Sequence, residues 1–228
     1  MNKSNLRMKR ELHRQEENRR FILHAAEKVF IQKGYRLATV DNIADEAQFS
    51  KATLYRYFKR KSDIFSEIVY CSFEEIYDGI KKIQMRELSA EEKLKKLIGF
   101  IISSYHKKKN LTRIFFMDKT SMKKLINAHA DFQASHHDFH PEISPRIKSQ
   151  MERISVIIAE IIREGVNAGE FRDMDVQDAS VVLGALLRGF YFRGPIRDKK
   201  YSIQETTDLL HSFFLNGIIK HKKTKKGD

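Results

Sequence analysis

The sequence predicts an all-α protein in which a small N-terminal unit of short helices precedes a larger bundle of long helices. Two observations support this fold class. Apolar residues recur at intervals of three and four along most of the chain, which is the spacing of one face of an α-helix. Alternating runs of β-branched and aromatic residues, which would indicate strands, are essentially missing.

The first predicted helices make up the N-terminal unit. The opening helix ends at the stop signal Lys33-Gly34, and its apolar positions are Phe21, Ile22, Ala25, Ala26, Val29 and Phe30. Thr39 can cap a short helix over residues 40–47, and Ser50 can cap a second short helix. A long helix then begins at Ser62, where Asp63 in the first turn interacts favourably with the helix dipole.

Five further helices are predicted for the bundle: Ala90–Lys108, Leu111–Asn127, Ile147–Ala168, Asp175–Phe192 and Ile203–Ile219. The clearest break between them is HHDFHPEISP, which contains two of the three prolines. We therefore expect four segments: a flexible basic arm (1–17), a domain of short helices (18–61), a helical bundle (62–219) and a basic tail (220–228).

Composition and charge limit the functional classes. The sequence has no apolar run long enough to span a bilayer and no signal peptide, so we expect a cytoplasmic protein. Its single cysteine, Cys71, excludes an internal disulfide and a cysteine-based zinc site. The net charge is +13, and the excess of Lys and Arg lies in residues 1–61 and in the tail, which favours a polyanionic partner.

The segment FSKATLYRYFKRK sorts into faces when its central part is placed on a helical wheel. At about 100° per residue from Ser50, Leu54 and Phe58 lie at about 40° and 80°, and they form a narrow apolar seam. Arg56 lies nearly opposite, at about 240°. The rest of that exposed face is Ala52 and Thr53, and Tyr55 and Tyr57 lie on its two sides.

The exposed face has the chemistry of a major-groove reader. Ala52 and the Thr53 methyl can meet thymine methyl groups, and Arg56 can donate two hydrogen bonds to a guanine. The two tyrosine hydroxyls can reach phosphates, and Lys59 and Lys61 can add phosphate contacts that confer affinity and salt dependence. Together with the preceding short helix and the turn Gln48-Phe49-Ser50, the pattern predicts a helix-turn-helix. An ordinary helical hairpin with a solvated basic face is the alternative interpretation.

The stretch TVDNIADEAQFSKATLYRYFKRKSDIFSEIV closely resembles the DNA-binding signature of TetR-family transcriptional regulators, and the resemblance covers roughly residues 18–70. It implies a three-helix DNA-binding domain followed by a helical domain that binds a ligand and dimerises. It also implies DNA contacts from Thr39, Ser50, Lys51, Thr53, Tyr55, Arg56, Tyr57 and Lys61.

Two positions depart from the usual family pattern. Gln48 occupies the turn position most often held by Gly, and a positive φ there would cost about 1 kcal/mol. Ala52 replaces the Gly often found after the lysine, which favours the helix by roughly 1 kcal/mol. The methyl group of Ala52 also changes the DNA-facing surface, so the operator of a relative cannot be transferred to this chain.

The resemblance implies a homodimer formed through the last two long helices. The sequence offers small residues for close helix approach and large apolar residues beside them. We expect the interface to include Gly184, Leu187, Phe190, Leu210, Phe213 and Phe214. The alternative is that both helices belong wholly to the core of their own chain.

A ligand pocket is expected among the helices between residues 90 and 168. Its apolar, methionine-containing lining would suit an apolar or amphipathic effector, and it comprises Tyr105, Phe115, Phe116, Met117, Met122 and Phe132. The cluster His129, His136, His137, Asp138 and His140 raises a metal site as an alternative. No i, i+4 ligand pair lies on one defined helix, so we favour a histidine-rich connector and predict neither metal nor cofactor.

The sequence therefore predicts a dimeric, ligand-responsive transcriptional repressor that binds a palindromic double-stranded operator. A basic amphipathic protein acting at a membrane surface is the alternative, although the apolar seam of the second short helix is too narrow for that role. An enzyme is not expected, because no nucleophile-base set, phosphate loop or dense carboxylate cluster is recognisable.

Overall fold

A computed structural model describes residues 3–108, 145–192 and 201–218, and these residues confirm the all-α fold class. The predicted helix Leu111–Asn127 and most of the histidine-rich connector lie outside them. The described helices, numbered here in chain order, are α1 Lys3–Leu37, α2 Val40–Ala47, α3 Lys51–Tyr57, α4 Lys61–Gln84, α5 Ala90–Lys107, α6 Pro145–Asn167, α7 Val176–Phe192 and α8 Ile203–Ile218.

The described residues belong to two compact units. Residues 3–71 fall in the first unit, and residues 72–108, 145–192 and 201–218 fall in the second. The division lies within α4, whereas we expected a boundary between residues 61 and 62. The four segments expected from the sequence remain predictions.

Helix α1 starts earlier than expected. We expected residues 1–17 to be a flexible arm, but the structure is helical from Lys3 onward. Side-chain pairs across one turn stabilise this part of the helix. Arg14 Nη2 lies 2.9 Å from Glu11 Oε1, and His13 Nε2 lies 3.4 Å from Glu17 Oε1. The predicted helix stop corresponds to Gly34, whose φ of 74° interrupts the helical backbone before the last turn of α1.

The core of the first unit is built around three aromatic rings. Phe30, Tyr35 and Phe65 contact one another with centroid distances between 5.0 and 5.7 Å. Ile43 of α2 and Leu54 of α3 are also fully buried. The apolar face of each short helix is therefore fixed by this core, and the opposite faces of α2 and α3 are left exposed.

The core of the second unit is built around α5. Leu97 and Ile98 are fully buried, and α5 packs against α6, α7 and α8. At the end of α6 the ring of Phe171 lies directly on Gly165, at a distance where a β-carbon would meet ring atoms at 2.3 Å. The next residue, Arg172, donates from its backbone to the Ile218 carbonyl, so the loop after α6 is tied to the end of α8.

The predicted dimer residues divide into buried and exposed groups. The expectation is wrong for Leu187, Leu210 and Phe214, because these side chains are buried in the core of their own chain. Phe190 also packs against that core, and its ring lies 5.8 Å from the ring of Tyr201.

Phe213, one of the expected residues, faces outward, together with further apolar side chains of α7. Phe213 of α8 is 70% exposed, and Val181, Val182 and Leu186 of α7 are exposed as well. Gly184 is half-buried. Leu186 and Phe213 are exposed beside the buried Leu187 and Phe214, so one member of each adjacent pair faces outward and the other faces the core.

Candidate DNA-binding surface

Helix α2 begins with a reciprocal cap. The Thr39 hydroxyl accepts a hydrogen bond from the Asn42 backbone at 3.1 Å, and the Asn42 side chain accepts one from the Thr39 backbone at 3.4 Å. Thr39 is thus the N-cap that the sequence predicted, while Asn42 as its partner was not anticipated. The Thr39 hydroxyl is used inside the protein, although the residue itself is exposed.

The turn between α2 and α3 needs a left-handed residue. Gln48 has φ 56° and ψ 36°, and it has the only positive φ among the non-glycine residues that the structure describes. Its backbone N–H donates to the Ala44 and Asp45 carbonyls, and the next N–H, of Phe49, donates to Ala44 at 3.0 Å. These bonds close the end of α2 and hold the backbone in its unusual conformation, as a C-cap does.

Ser50 caps α3 and also engages one of the groove-facing residues. Its Oγ accepts from the Thr53 backbone at 3.1 Å and lies 2.9 Å from the Thr53 hydroxyl. This contact uses part of the hydrogen-bonding capacity of the Thr53 hydroxyl, whereas the Thr53 methyl group makes no such bond and can meet a base.

The faces of α3 follow the helical wheel. Leu54 and Phe58 are buried, with exposures of 1% and 5%. The helix itself ends at Tyr57, and Phe58 reaches the core from an extended backbone with φ −139°. Lys51, Ala52, Tyr55 and Arg56 of α3 are exposed, and Thr53 is half-buried. Lys59 and Arg60, just after the helix, are exposed as well.

The two tyrosines beside the exposed face have different surroundings. The Tyr57 hydroxyl accepts a hydrogen bond from the Asn18 side chain of α1 at 3.0 Å, and the residue is half-buried. Next to it, the guanidinium of Arg19 lies 4.6 Å above the Phe58 ring. Tyr55 is 47% exposed, so its hydroxyl is the more accessible of the two.

Lys51 is paired across the helix-turn-helix. Its Nζ lies 2.8 and 3.0 Å from the two carboxylate oxygens of Asp41 in α2. The hydrogen bond to Asp41 raises the pKa of Lys51. A phosphate that binds Lys51 must therefore compete with Asp41 or share the ammonium with it.

Lys61 has a different role from the one that we expected. Its Nζ donates to the backbone carbonyls of Ala38 at 2.7 Å and Tyr35 at 2.8 Å, and it lies 4.5 Å from the Tyr35 ring centroid. Burial lowers the pKa of this ammonium. The geometry turns Lys61 inward, onto the turn between α1 and α2, and away from a phosphate.

The predicted ligand pocket is only partly described. Tyr105 is half-buried and packs against the core of the second unit, whereas Phe115, Phe116, Met117, Met122 and Phe132 lie outside the described residues. A groove of about 620 Å³ does lie between α4 and α5. Its apolar residues are Ile83 and Phe100, and its rim carries Lys82, Arg86, Lys96, Glu75 and Asp78.

The described residues offer neither a metal site nor a membrane span. They contain no cluster of three His, Cys, Asp or Glu side chains that could hold a metal ion, and the histidines at 129–140 lie outside them. None of the described helices is both long and apolar enough to cross a membrane.

The helix-turn-helix and the bundle both match known families. Residues 22–68 match the model for bacterial regulatory proteins of the tetR family, and residues 106–219, half of the chain, match the QacR-like C-terminal region. The chain belongs to the TetR family. It is therefore a transcriptional regulator with a DNA-binding helix-turn-helix, and the family resemblance found in the sequence is confirmed.

Several TetR-family proteins align over most of this chain. The uncharacterized HTH-type transcriptional regulator YhgD of Bacillus subtilis is 24% identical over 202 residues, which are 89% of this chain and 97% of the relative. The fatty acid metabolism regulator protein of the same organism is 22% identical over 198 residues, with 86% and 93% covered. The crystal structure of FadR from Bacillus subtilis in complex with stearoyl-CoA superposes with a TM-score of 0.66 at 22% identity, with 87% and 98% covered. These similarities show a shared fold.

Proposed function

We propose that this TetR-family protein binds a palindromic operator as a homodimer, represses transcription there, and is released by an amphipathic effector. The observation that supports operator binding most directly is the exposed face of α3. It presents one guanidinium, one methyl group and one threonine on the side opposite a buried leucine.

Arg56 is the main candidate for base recognition. It is exposed on α3, where a guanidinium can donate two hydrogen bonds to a guanine, and such a pair contributes about 1–3 kcal/mol of discrimination. Ala52 and the Thr53 methyl offer apolar contacts to thymine. Around them, Lys51, Tyr55 and Lys59 are our candidates for phosphate contacts, which position the helix without reading sequence.

The test compares base preference with overall affinity. The full-length protein is first used to select sites from a random duplex library, and binding of the selected duplex is then measured by gel shift. Arg56→Ala should lower affinity for that duplex and lose preference at one base pair. The matched variant Lys59→Ala should weaken all duplexes alike and flatten the salt slope by about 0.9. Unchanged base preference in Arg56→Ala would contradict the assignment of α3 to the groove.

The homodimer is proposed from the outward-facing apolar residues of α7 and α8. Val182 and Leu186 lie one turn apart on α7, and Phe213 of α8 is 70% exposed. Exposed apolar side chains on two neighbouring helices are typical of a protein interface. A dimer would also let two short recognition helices read the two halves of a palindrome.

The dimer is tested by light scattering after size-exclusion chromatography. Leu186→Asp with Phe213→Asp should give a monomer and should lower operator affinity, because each half-site then binds independently. Met85→Asp is the control, since Met85 is 76% exposed and lies outside α7 and α8. A dimer that survives the double substitution would place the interface elsewhere.

The effector is proposed to be a long-chain acyl thioester or a related amphipathic anion. Two findings support this class. One relative is a fatty acid metabolism regulator, and a related FadR structure contains stearoyl-CoA. The groove between α4 and α5 also combines Phe100 with a rim of three cations and two carboxylates, and this net positive rim suits an apolar chain with an anionic head.

Effector release is tested with stearoyl-CoA as the probe. Stearoyl-CoA should lower affinity for the selected duplex, because an effector shifts the equilibrium towards the state that it binds more tightly. Coenzyme A alone should have little effect. A promoter reporter carrying the selected site should be silenced by the protein and restored by the probe. Equal DNA affinity with and without stearoyl-CoA would contradict this effector class, and increased reporter output would contradict repression.

A further inference from the structure

The N-terminal part of α1 lies outside the segment that matches the TetR-family model, which begins at residue 22. The side chains of residues 5–17 are all exposed, so they contribute nothing to the core of the first unit. The first ten residues include four basic side chains and no acidic one, and Glu11 is the first carboxylate in the chain. Residues 5–17, here called the extension, therefore form a helical segment with no role in core packing, and its positive charge is concentrated before Glu11.

Contacts further along α1 show which side of the helix faces the helix-turn-helix. Asn18 reaches Tyr57 of α3 at 3.0 Å, and Lys28 reaches Glu46 of α2 at 3.3 Å. On a wheel of about 100° per residue with Arg7 at zero, Asn18 lies at about +20° and Lys28 at about −60°. The sector between −60° and +20° is therefore the side of α1 that faces α2 and α3.

Arg7 and Arg10 lie in this same sector. They fall at about 0° and −60° on the same wheel, whereas Lys9 and Arg20 fall at about 200° and 220°, nearly opposite. All four side chains are exposed. Arg14, at about −20°, lies in this sector too, but its guanidinium is bonded to Glu11. Arg7 and Arg10 are thus a pair of cations on the helix-turn-helix side of α1, and Lys9 and Arg20 are a matched pair on the other side.

One residue of the extension, Glu11, interacts electrostatically with α3. Glu11 is hydrogen-bonded to Arg14, which lowers the pKa of its carboxyl, and the charge of Arg56 lowers this pKa further. The interaction places Glu11 within electrostatic reach of the groove-facing guanidinium. From Asn18, Arg10 and Arg7 lie roughly 12 and 17 Å further along the helix axis, at 1.5 Å per residue.

We infer that Arg7 and Arg10 bind the DNA phosphates that flank the base pairs read by α3, so that the operator footprint is longer than the recognition helix alone would require. At 3.4 Å per base pair, a reach of 17 Å extends the contact by up to roughly 5 base pairs. This inference rests on the proposed function, because it assumes that α3 occupies the major groove.

The test uses two double variants of equal net charge in the full-length protein. Arg7→Gln with Arg10→Gln removes the pair on the helix-turn-helix side, and Lys9→Gln with Arg20→Gln removes the opposite pair. Binding is measured between 50 and 200 mM salt on the selected duplex, with and without flanks of about 10 base pairs on each side. Equal helicity by circular dichroism and equal unfolding midpoints check that both variants fold.

The Arg7/Arg10 variant should reduce the log–log salt slope by about 1.8 per protomer and lose about tenfold in affinity on the long duplex. It should also lose the preference for the long duplex that the wild type shows. The Lys9/Arg20 variant should keep most of that preference.

Each other outcome is informative. If the two double variants behave alike on the long duplex, the flank contact is refuted while operator binding stands. If the wild-type protein selects no duplex at all, the proposed function itself fails. Binding to vesicles that contain phosphatidylglycerol is measured alongside. If the Arg7/Arg10 variant binds both duplexes as the wild type does but loses vesicle binding, the extension binds lipid, and the inference is overturned.

Discussion

Replacing Gln48 with Gly should stabilise the protein. Gln48 holds φ 56° and ψ 36°, a region in which a side chain with a β-carbon costs about 1–2 kcal/mol. Glycine avoids this cost but loses more backbone entropy on folding, which offsets about 0.5–1 kcal/mol. The backbone N–H keeps its bonds to Ala44 and Asp45. The expected net gain is about 0.5–1 kcal/mol, or roughly 1–4 °C in Tm for a chain of this length.

The matched control is the other position where the usual family residue is Gly. Ala52 lies in α3 with ordinary helical geometry, so Ala52→Gly should lower the free energy of unfolding by about 0.5–1 kcal/mol. Urea unfolding followed by far-UV circular dichroism measures both, since the sequence has no Trp for fluorescence. The two glycine variants should differ by about 1–2 kcal/mol. The reasoning is refuted if both variants change the free energy of unfolding in the same direction, or if Gln48→Gly does not raise it.

Three further stability changes are expected. Lys61→Met should cost about 1–3 kcal/mol in urea unfolding, because two partly buried carbonyls lose their donor, whereas exposed Lys59→Met should cost less than about 0.5 kcal/mol. Burial raises the pKa of the Tyr35 hydroxyl, so as pH rises the unfolded chain loses this proton before the folded protein does. The free energy of unfolding should therefore fall as pH rises above about 10, and it should fall less steeply in Tyr35→Phe. Gly165→Ala should lower Tm, because a β-carbon would overlap the buried Phe171 ring and overpacking costs about 1–3 kcal/mol.

The helix-turn-helix could be predicted because its determinants are local. Thr39 and Ser50 each cap the helix that follows directly, and the spacing of Leu54 and Phe58 identifies the buried face of α3 without knowledge of the other helices. The helices near the C-terminus were predicted for the same reason, from apolar spacing alone. Signals within one or two turns of chain were sufficient for all of these elements.

The use of Lys61 could not be predicted in this way. Its acceptors are carbonyls 23 and 26 residues earlier in the chain, and their positions depend on the backbone turn at Gly34. A lysine beside a basic recognition helix otherwise indicates a phosphate contact. The sequence thus indicates that Lys61 donates hydrogen bonds, but it does not show that the acceptors are backbone carbonyls.

The inner and outer faces of α7 could not be predicted from the sequence either. The run VVLGALLRGFYF is apolar almost all round, so spacing does not distinguish the residues that meet their own chain from those that face outward. Leu187 and Leu186 are adjacent and chemically identical, and only the packing against α5 and α8 separates them.

The inward position of Lys61 affects how loss-of-function variants of this protein should be interpreted. A screen for variants that no longer occupy their promoter would recover substitutions at Lys61 together with those at Arg56, and the two groups would share one phenotype. The first group would fail because less folded protein accumulates in the cell, the second because intact protein has lost its base contact. Measuring protein abundance alongside promoter activity would separate the two, and a second-site change such as Gln48→Gly should rescue only the first.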